Sequence, residues 1–195
     1  NLSGLTAAMA LLPDAPHVAC FDTAFHRTLP AERHTYPVPL HYRDRGLRRF
    51  GFHGLSYTWI AAQLPRHLPE KRRRNVVVAH LGNGCSLCAL KDGLSHDTSM
   101  GVTPLDGLVM GTRAGSIDPS AIFHLIRAEG MDPPAVEDLL FRRSGLLGVS
   151  GISNDMRTLL SSDRPEAALA VELFTSAVAR GIAGMAASLG GLDAV

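Results

Sequence analysis

Apolar residues recur along this chain with two periods. At helical spacing, Leu2, Leu5, Ala8, Met9 and Leu12 share one face and predict a helix over 2–12. The same signal predicts a helix over Ser56–Leu64, entered through Gly54 and closed by Pro65 and Pro69, and a long one over about Glu166–Leu189 after Arg164-Pro165. The Ala-rich face of the long helix, with Gly181 and Gly184, implies close packing against a sheet or another helix. Three shorter apolar runs, Val76–Leu81, Cys85–Leu90 and Leu94–Thr98, predict a central sheet, with Asp92-Gly93 as the hairpin turn between the second and third. His17–Phe21 reads as a further short strand, and Asp22 stands where it would cap Thr23–Leu29. Asp118-Pro119 and Asp132-Pro133 each place a capping Asp before a Pro at the first helical position, opening helices to about Ala128 and Arg143. Residues 30–50 read as mostly loop with room for a short helix, 104–110 as a short helix and 144–152 as glycine-rich loop. Strands and helices mixed in this way give an α/β class.

Composition narrows the picture. The chain has 195 residues, 46% hydrophobic and 19% charged, enough for one sizeable packed domain. A formal net charge of +1 leaves no electrostatic footprint for nucleic acid or an acidic membrane, and Lys71–Arg74 reads as a solvated loop. No segment reads as a run of the roughly 18 apolar residues that a membrane span needs, and no signal peptide is visible. The three cysteines, Cys20, Cys85 and Cys88, lie in apolar runs, which fits a reducing compartment. Cys85 and Cys88 are three apart in a strand and point to opposite faces, so they share neither a metal nor a disulfide. Asn1 is not a start residue and Leu192–Val195 resembles half a strand, so a piece of a longer protein is expected.

The run from His80 to Pro119 carries the chemistry. Gly82-Asn83-Gly84 joins two strands and can present backbone N–H groups to phosphate oxygens; a plain hairpin using positive φ is the alternative. Arg113 sits among small residues, Gly111-Thr112 and Ala114-Gly115, where its fork can reach into a cleft or simply lie on the surface. His53, in Phe50-Gly51-Phe52-His53-Gly54, can donate to a transferring phosphoryl group or fill an aromatic turn. His80, at a strand end, can face the same cleft or be a satisfied core histidine. Asp22 can serve catalysis or magnesium, or cap a helix. Asp155-Met156-Arg157 can grip a nucleotide or form a cap with a surface arginine. No G-x-S-x-G elbow supports a serine hydrolase.

Taken in order, Phe21–His26, Gly51–Gly54, His80–Gly84, Asp97–Gly101, Met110–Arg113 and Gly115–Pro119 closely resemble the acetokinase (acetate kinase) family, within the acetate and sugar kinase, Hsp70 and actin superfamily. The resemblance covers essentially the whole chain. It implies a ribonuclease-H-like (actin-like ATPase) α/β lobe with a central mixed sheet flanked by helices. Residues 1–24 would end a first lobe, and 25–195 would form most of a second. It implies reversible transfer of the ATP γ-phosphoryl to acetate, giving acetyl phosphate and ADP with Mg2+. Asp22, His53 and Arg113 match the family's catalytic residues, and His80, Leu81, Gly82, Asn83 and Gly84 its phosphate-contacting turn. Asp155, Met156 and Arg157 match its adenosine segment, and Phe52 and Pro104 its pocket for the acetate methyl. A cytoplasmic homodimer with no nucleic-acid or membrane partner is implied. Propionate or butyrate kinase, or a nucleotide-binding module without catalysis, are the alternatives. Leu55 and Tyr57 replace the Thr and His of many relatives, a change expected at the pocket edge. Several family motifs have no counterpart here: an Asn-rich phosphate motif, a substrate arginine, a Gly-Gly-Ile-Gly-Glu loop and a magnesium-binding glutamate. The piece alone is therefore expected to turn over little.

Overall fold

The computed structural model describes residues 2–195; Asn1 lies outside them. In chain order come helices α1 (Leu2–Leu11), α2 (Ala31–His34), α3 (Leu40–Asp44) and α4 (Gly54–His67), then strands β1 (Asn75–Leu81), β2 (Cys85–Lys91) and β3 (Leu94–Thr98). Helices α5 (Pro119–Arg127), α6 (Pro133–Arg142), α7 (Gly145–Ser150), α8 (Met156–Leu160) and α9 (Pro165–Leu189) follow. The strands form one antiparallel sheet in the order β1-β2-β3. The described part of the sheet is thus antiparallel; its parallel element is a single bridge from Ala194 to Val76. Asp92 (φ 51°) and Gly93 (φ 79°) are both left-handed, as a two-residue turn between right-twisted strands requires.

β2 is central, so its apolar run is buried on both faces. Cys85, Leu87 and Ala89 point to one side, where Val178, Ile182, Met185 and Leu189 of α9 cover them. Cys88 and Leu90 point to the other, against Tyr57 of α4. The two cysteines therefore lie in different layers, and both are free thiols. A Cβ on Gly181 would come within 2.4 Å of Leu87 Cδ1, so α9 lies on β2 about as closely as a glycine permits.

Several expectations are corrected. Residues 17–21 form no strand; Val18 and Phe21 are exposed, and among the described residues no strand pairs with this segment. Residues 104–110 are a chain of turns, because Asp106 is drawn off to Arg49 and Ser116. Residues 145–150 are helical, not loop, because the Leu146 and Leu147 N–H groups donate to the Met110 and Gly111 carbonyls. Pro65 lies inside α4, in its last turns. By length and composition α9 is apolar enough to cross a membrane, contrary to the sequence reading. Its charges, Glu166, Glu172 and Arg180, are spaced widely enough to leave long apolar stretches, and Ala167, Ala170, Met185 and Leu189 are buried within the protein.

Candidate active site

The site is assembled where α4 meets the β1–β2 turn. Residue 53 enters α4 in the left-handed conformation (φ 59°), uncommon for a non-glycine. Asp22 holds it there. The carboxylate accepts the His53 N–H at 2.5 Å and the Leu55 N–H at 3.2 Å, satisfying donors that the first turn of α4 leaves unpaired. The approach is close: a Cβ on Gly54 would fall 1.9 Å from the Asp22 carbonyl oxygen. Asp22 thus secures the start of α4 and not, as expected, the segment after itself, whose N-cap is Thr23 without a side-chain bond.

The His53 ring is fixed on three sides. Nδ1 lies 2.8 Å from Ser86 Oγ, and one face stacks on His80 at 4.0 Å between centroids. The Nε2 edge faces Gly84: a Cβ there would lie 3.3 Å from His53 Nε2 and 3.2 Å from Arg113 Nη1. Gly82–Gly84 do join β1 to β2 as a hairpin, but none of the three has positive φ, so Gly84 serves close approach and not left-handed backbone. Arg113 Nη1 donates to the Pro104 carbonyl at 3.2 Å, which steadies the guanidinium beside this point. Burial pushes the His53 pKa down to about 4, helped by the neighbouring His80, Arg113 and His26 and opposed by Asp22. His53 is therefore a neutral hydrogen-bonding group at pH 7, and Arg113 supplies the fixed positive charge.

An adjoining hollow of about 590 Å³ is lined by Leu81, Gly82, Asn83, Gly111, Met156 and Arg157, among others. Asn83 ties the two places together: its carbonyl accepts the Gly111 N–H at 3.1 Å, and its Oδ1 accepts from Asn154 Nδ2 at 3.2 Å. Asp155, also on this hollow, caps α8 by accepting the Arg157 N–H at 2.9 Å. Its carboxylate is gripped twice by the Arg157 guanidinium, at 3.2 and 2.7 Å. That grip holds the Asp155 carboxyl below the usual carboxylate range. The structure thus shows the cap with its surface arginine, and the same residues line the hollow. A larger hollow of about 1080 Å³, reaching Tyr36, Arg49, Asp106 and Arg180, contains none of the candidate residues.

The structure brings His53, His80, Gly82–Gly84, Arg113 and Pro104 together, with Asp22 behind His53. Phe52 packs against the cluster that holds Met100 and Met110. One residue, Ser86, escaped the sequence reading. Ser86 lay within an apolar strand, where a lone hydroxyl signals a buried group in need of partners. Tyr57 was expected at the pocket edge; it is buried beneath Ser86, while Leu55 is 55% exposed. Magnesium needs several oxygen ligands in near-octahedral array. The described residues contain no cluster of three or more metal-ligating groups, and both Asp22 oxygens already accept backbone N–H bonds. These residues alone do not build a magnesium site.

Comparison with known proteins supplies independent findings. The model of the acetokinase family matches residues 1–195. The acetate kinase of Nitrobacter hamburgensis is 50% identical over 194 residues, covering 100% of this chain and 48% of its own length. The crystal structure of Porphyromonas gingivalis acetate kinase superposes with a TM-score of 0.91 at 36% identity, covering 98% of this chain and 49% of its own. A propionate kinase from Francisella tularensis superposes at 0.89 with 41% identity, covering 94% of this chain and 48% of its own. The chain spans about half the length of the curated relatives it matches.

Proposed function

Because the chain belongs to the acetokinase family, we propose that the full-length protein transfers the γ-phosphoryl group of ATP reversibly to acetate, giving acetyl phosphate and ADP. The observation that carries this reading is the convergence of His53 Nε2 and Arg113 Nη1 on Gly84. A loose phosphoryl transition state spreads negative charge over equatorial oxygens. Two donors held in advance at one point stabilise that charge more than they stabilise the ground state. The neutral His53 donates without repelling Arg113. Acetate is already an anion, so no general base is needed, and Asp22 works by holding His53. The hollow along Asn83 and Asp155–Arg157 receives the adenosine end, with the bend at 82–84 along the phosphates. Phe52 and Pro104 are assigned to the acetate methyl. Magnesium would arrive with the nucleotide phosphates and neutralise part of their charge.

Residues 1–24 are assigned to one lobe, an assignment supported by α1, which buries none of its residues, and 25–195 to a second. A homodimer and a cytoplasmic location are part of the same proposal, in keeping with family membership and with free thiols. Residues 1–195 alone should give little turnover, since the matched relatives are about twice as long.

Acetyl phosphate formation from ATP and acetate tests the proposal. Arg113→Ala should lower kcat by roughly 10³-fold while nucleotide affinity stays within a few-fold. A wild-type protein that binds ATP and forms no acyl phosphate would defeat it. The similarity to a propionate kinase favours one second reading, that of a longer acceptor. One methylene in an apolar pocket is worth about 1–3 kcal/mol, so relative kcat/KM for acetate and propionate decides between them.

A further inference from the structure

Ser86 is buried within β2, and its Oγ meets two groups, the Tyr57 hydroxyl and His53 Nδ1. A serine hydroxyl has one proton and can donate to only one of them. Three arrangements satisfy both contacts; the one in which Ser86 accepts from both Tyr57 and Nδ1–H leaves the buried serine proton without an acceptor and is set aside, so two remain. In the first, Tyr57 donates to Ser86, Ser86 donates to Nδ1, and the His53 proton sits on Nε2. In the second, Nδ1–H donates to Ser86 and Ser86 donates to Tyr57, which leaves the phenolic proton without an acceptor.

The second arrangement fails on the tyrosine. Tyr57 is 0% exposed, and among the described residues Ser86 is the hydrogen-bond partner of its hydroxyl. Burial raises the phenol's pKa, so that proton stays in place. An unpaired buried donor is strongly disfavoured, whereas the first arrangement pairs every proton of the buried Tyr57–Ser86–Nδ1 chain and leaves only Nε2–H, on the cleft side of the half-buried ring, free for a ligand. His80 does not compete for Nδ1, because it stacks on the face of the His53 ring, outside the ring plane in which Nδ1 bonds.

We infer that Ser86, backed by Tyr57, is a positioning residue that fixes His53 with its ring proton on Nε2, the edge facing Gly84 and Arg113. The consequence for catalysis rests on the kinase reading. With the proton on Nε2, His53 and Arg113 both donate into one space, as an anionic phosphoryl group needs. With the proton on Nδ1, the same edge would offer a lone pair and repel the anion. A histidine's second partner sets which nitrogen carries the proton, and here that partner is a serine inside a strand.

The test is long-range 1H–15N spectroscopy of the full-length protein labelled at histidine, at pH 7, with His53 assigned by its loss in His53→Asn. The expected wild-type spectrum shows a protonated Nε2 and an unprotonated, hydrogen-bonded Nδ1. In Ser86→Ala the Nδ1 signal should move to that of a free ring nitrogen. kcat should fall about tenfold with KM for ATP within twofold, a split that a merely structural role would not give. Tyr57→Phe, which keeps the serine hydroxyl, should retain the Nε2–H form. A wild-type His53 protonated on Nδ1 overturns the inference without any variant, as does a Ser86→Ala protein whose Nδ1 signal or kcat is unchanged. The spectrum is read independently of turnover. An inactive protein with the expected spectrum would sink the kinase reading and leave the Ser86 assignment standing; an active one protonated on Nδ1 would do the reverse.

Discussion

Cys85 and Ser86 are neighbours in β2, yet one joins an apolar layer under α9 and the other a polar chain under α4. On the α9 side, Leu87, Met100, Leu108, Met110 and Met185 are joined by contact alone. On the α4 side, each polar group has a named partner: His53 to Ser86, Ser86 to Tyr57, and His26 to Ser95 at 2.8 Å and to the Phe52 carbonyl at 3.0 Å. A strand buried on both faces can thus carry apolar packing on one face and a hydrogen-bonded chain on the other, because successive side chains point to opposite sides. Under the proposed function, damage to the apolar layer should show first in folding, and damage along the Tyr57–Ser86–His53 chain first in turnover.

The largest separation should come from Leu87→Ala. Leu87 is fully buried against Gly181 of α9, so its truncation should cost about 2–5 kcal/mol and lower the urea midpoint. kcat of the folded fraction should stay within twofold. A Leu87→Ala protein that is stable but slow would break the division between the faces.

A smaller effect should appear with pH. The folded-state pKa of His53 is lowered to about 4 and that of His26 is lowered too, so both take up protons more readily when unfolded. Stability should therefore be fully retained above about pH 6.5 and fall as pH drops toward about 4. His53→Asn should reduce that slope, since Asn tolerates the left-handed backbone at this position. Urea midpoints between pH 7 and 5 measure it, and an unchanged slope would show that His53 is not desolvated as described.

Much of the scaffold was legible in the chain. The three strands, the Asp92-Gly93 turn, both Asp-Pro helix starts and the long helix follow from local signals that tertiary contacts reinforce. The failures share one cause. Helix α7 forms because Leu146 and Leu147 donate to carbonyls of the Met110–Gly111 turn, more than thirty residues earlier, and no propensity reveals that. Asp22 looked like a local cap because a carboxylate before a helical stretch usually is one; its donors, His53 and Leu55, are distant in sequence. Of the candidate site, the strings around His53, Gly82–Gly84 and Arg113 were visible, but not that Gly84 is small so that two donors can meet. Ser86 stayed hidden because a hydroxyl in an apolar run has no meaning until its partner is known, and that partner, Tyr57, was read only as a pocket-edge residue.

The central claim is that His53 and Arg113 act as one unit at Gly84, and a double-mutant cycle with His53→Asn and Arg113→Ala, read in kcat for acetyl phosphate synthesis by the full-length protein, tests it most directly. The account predicts strong non-additivity, with a coupling of about 1–3 kcal/mol and the second substitution costing far less once the first is made. Losses that add to within about 0.5 kcal/mol would contradict it, because two independent donors do not share one anion.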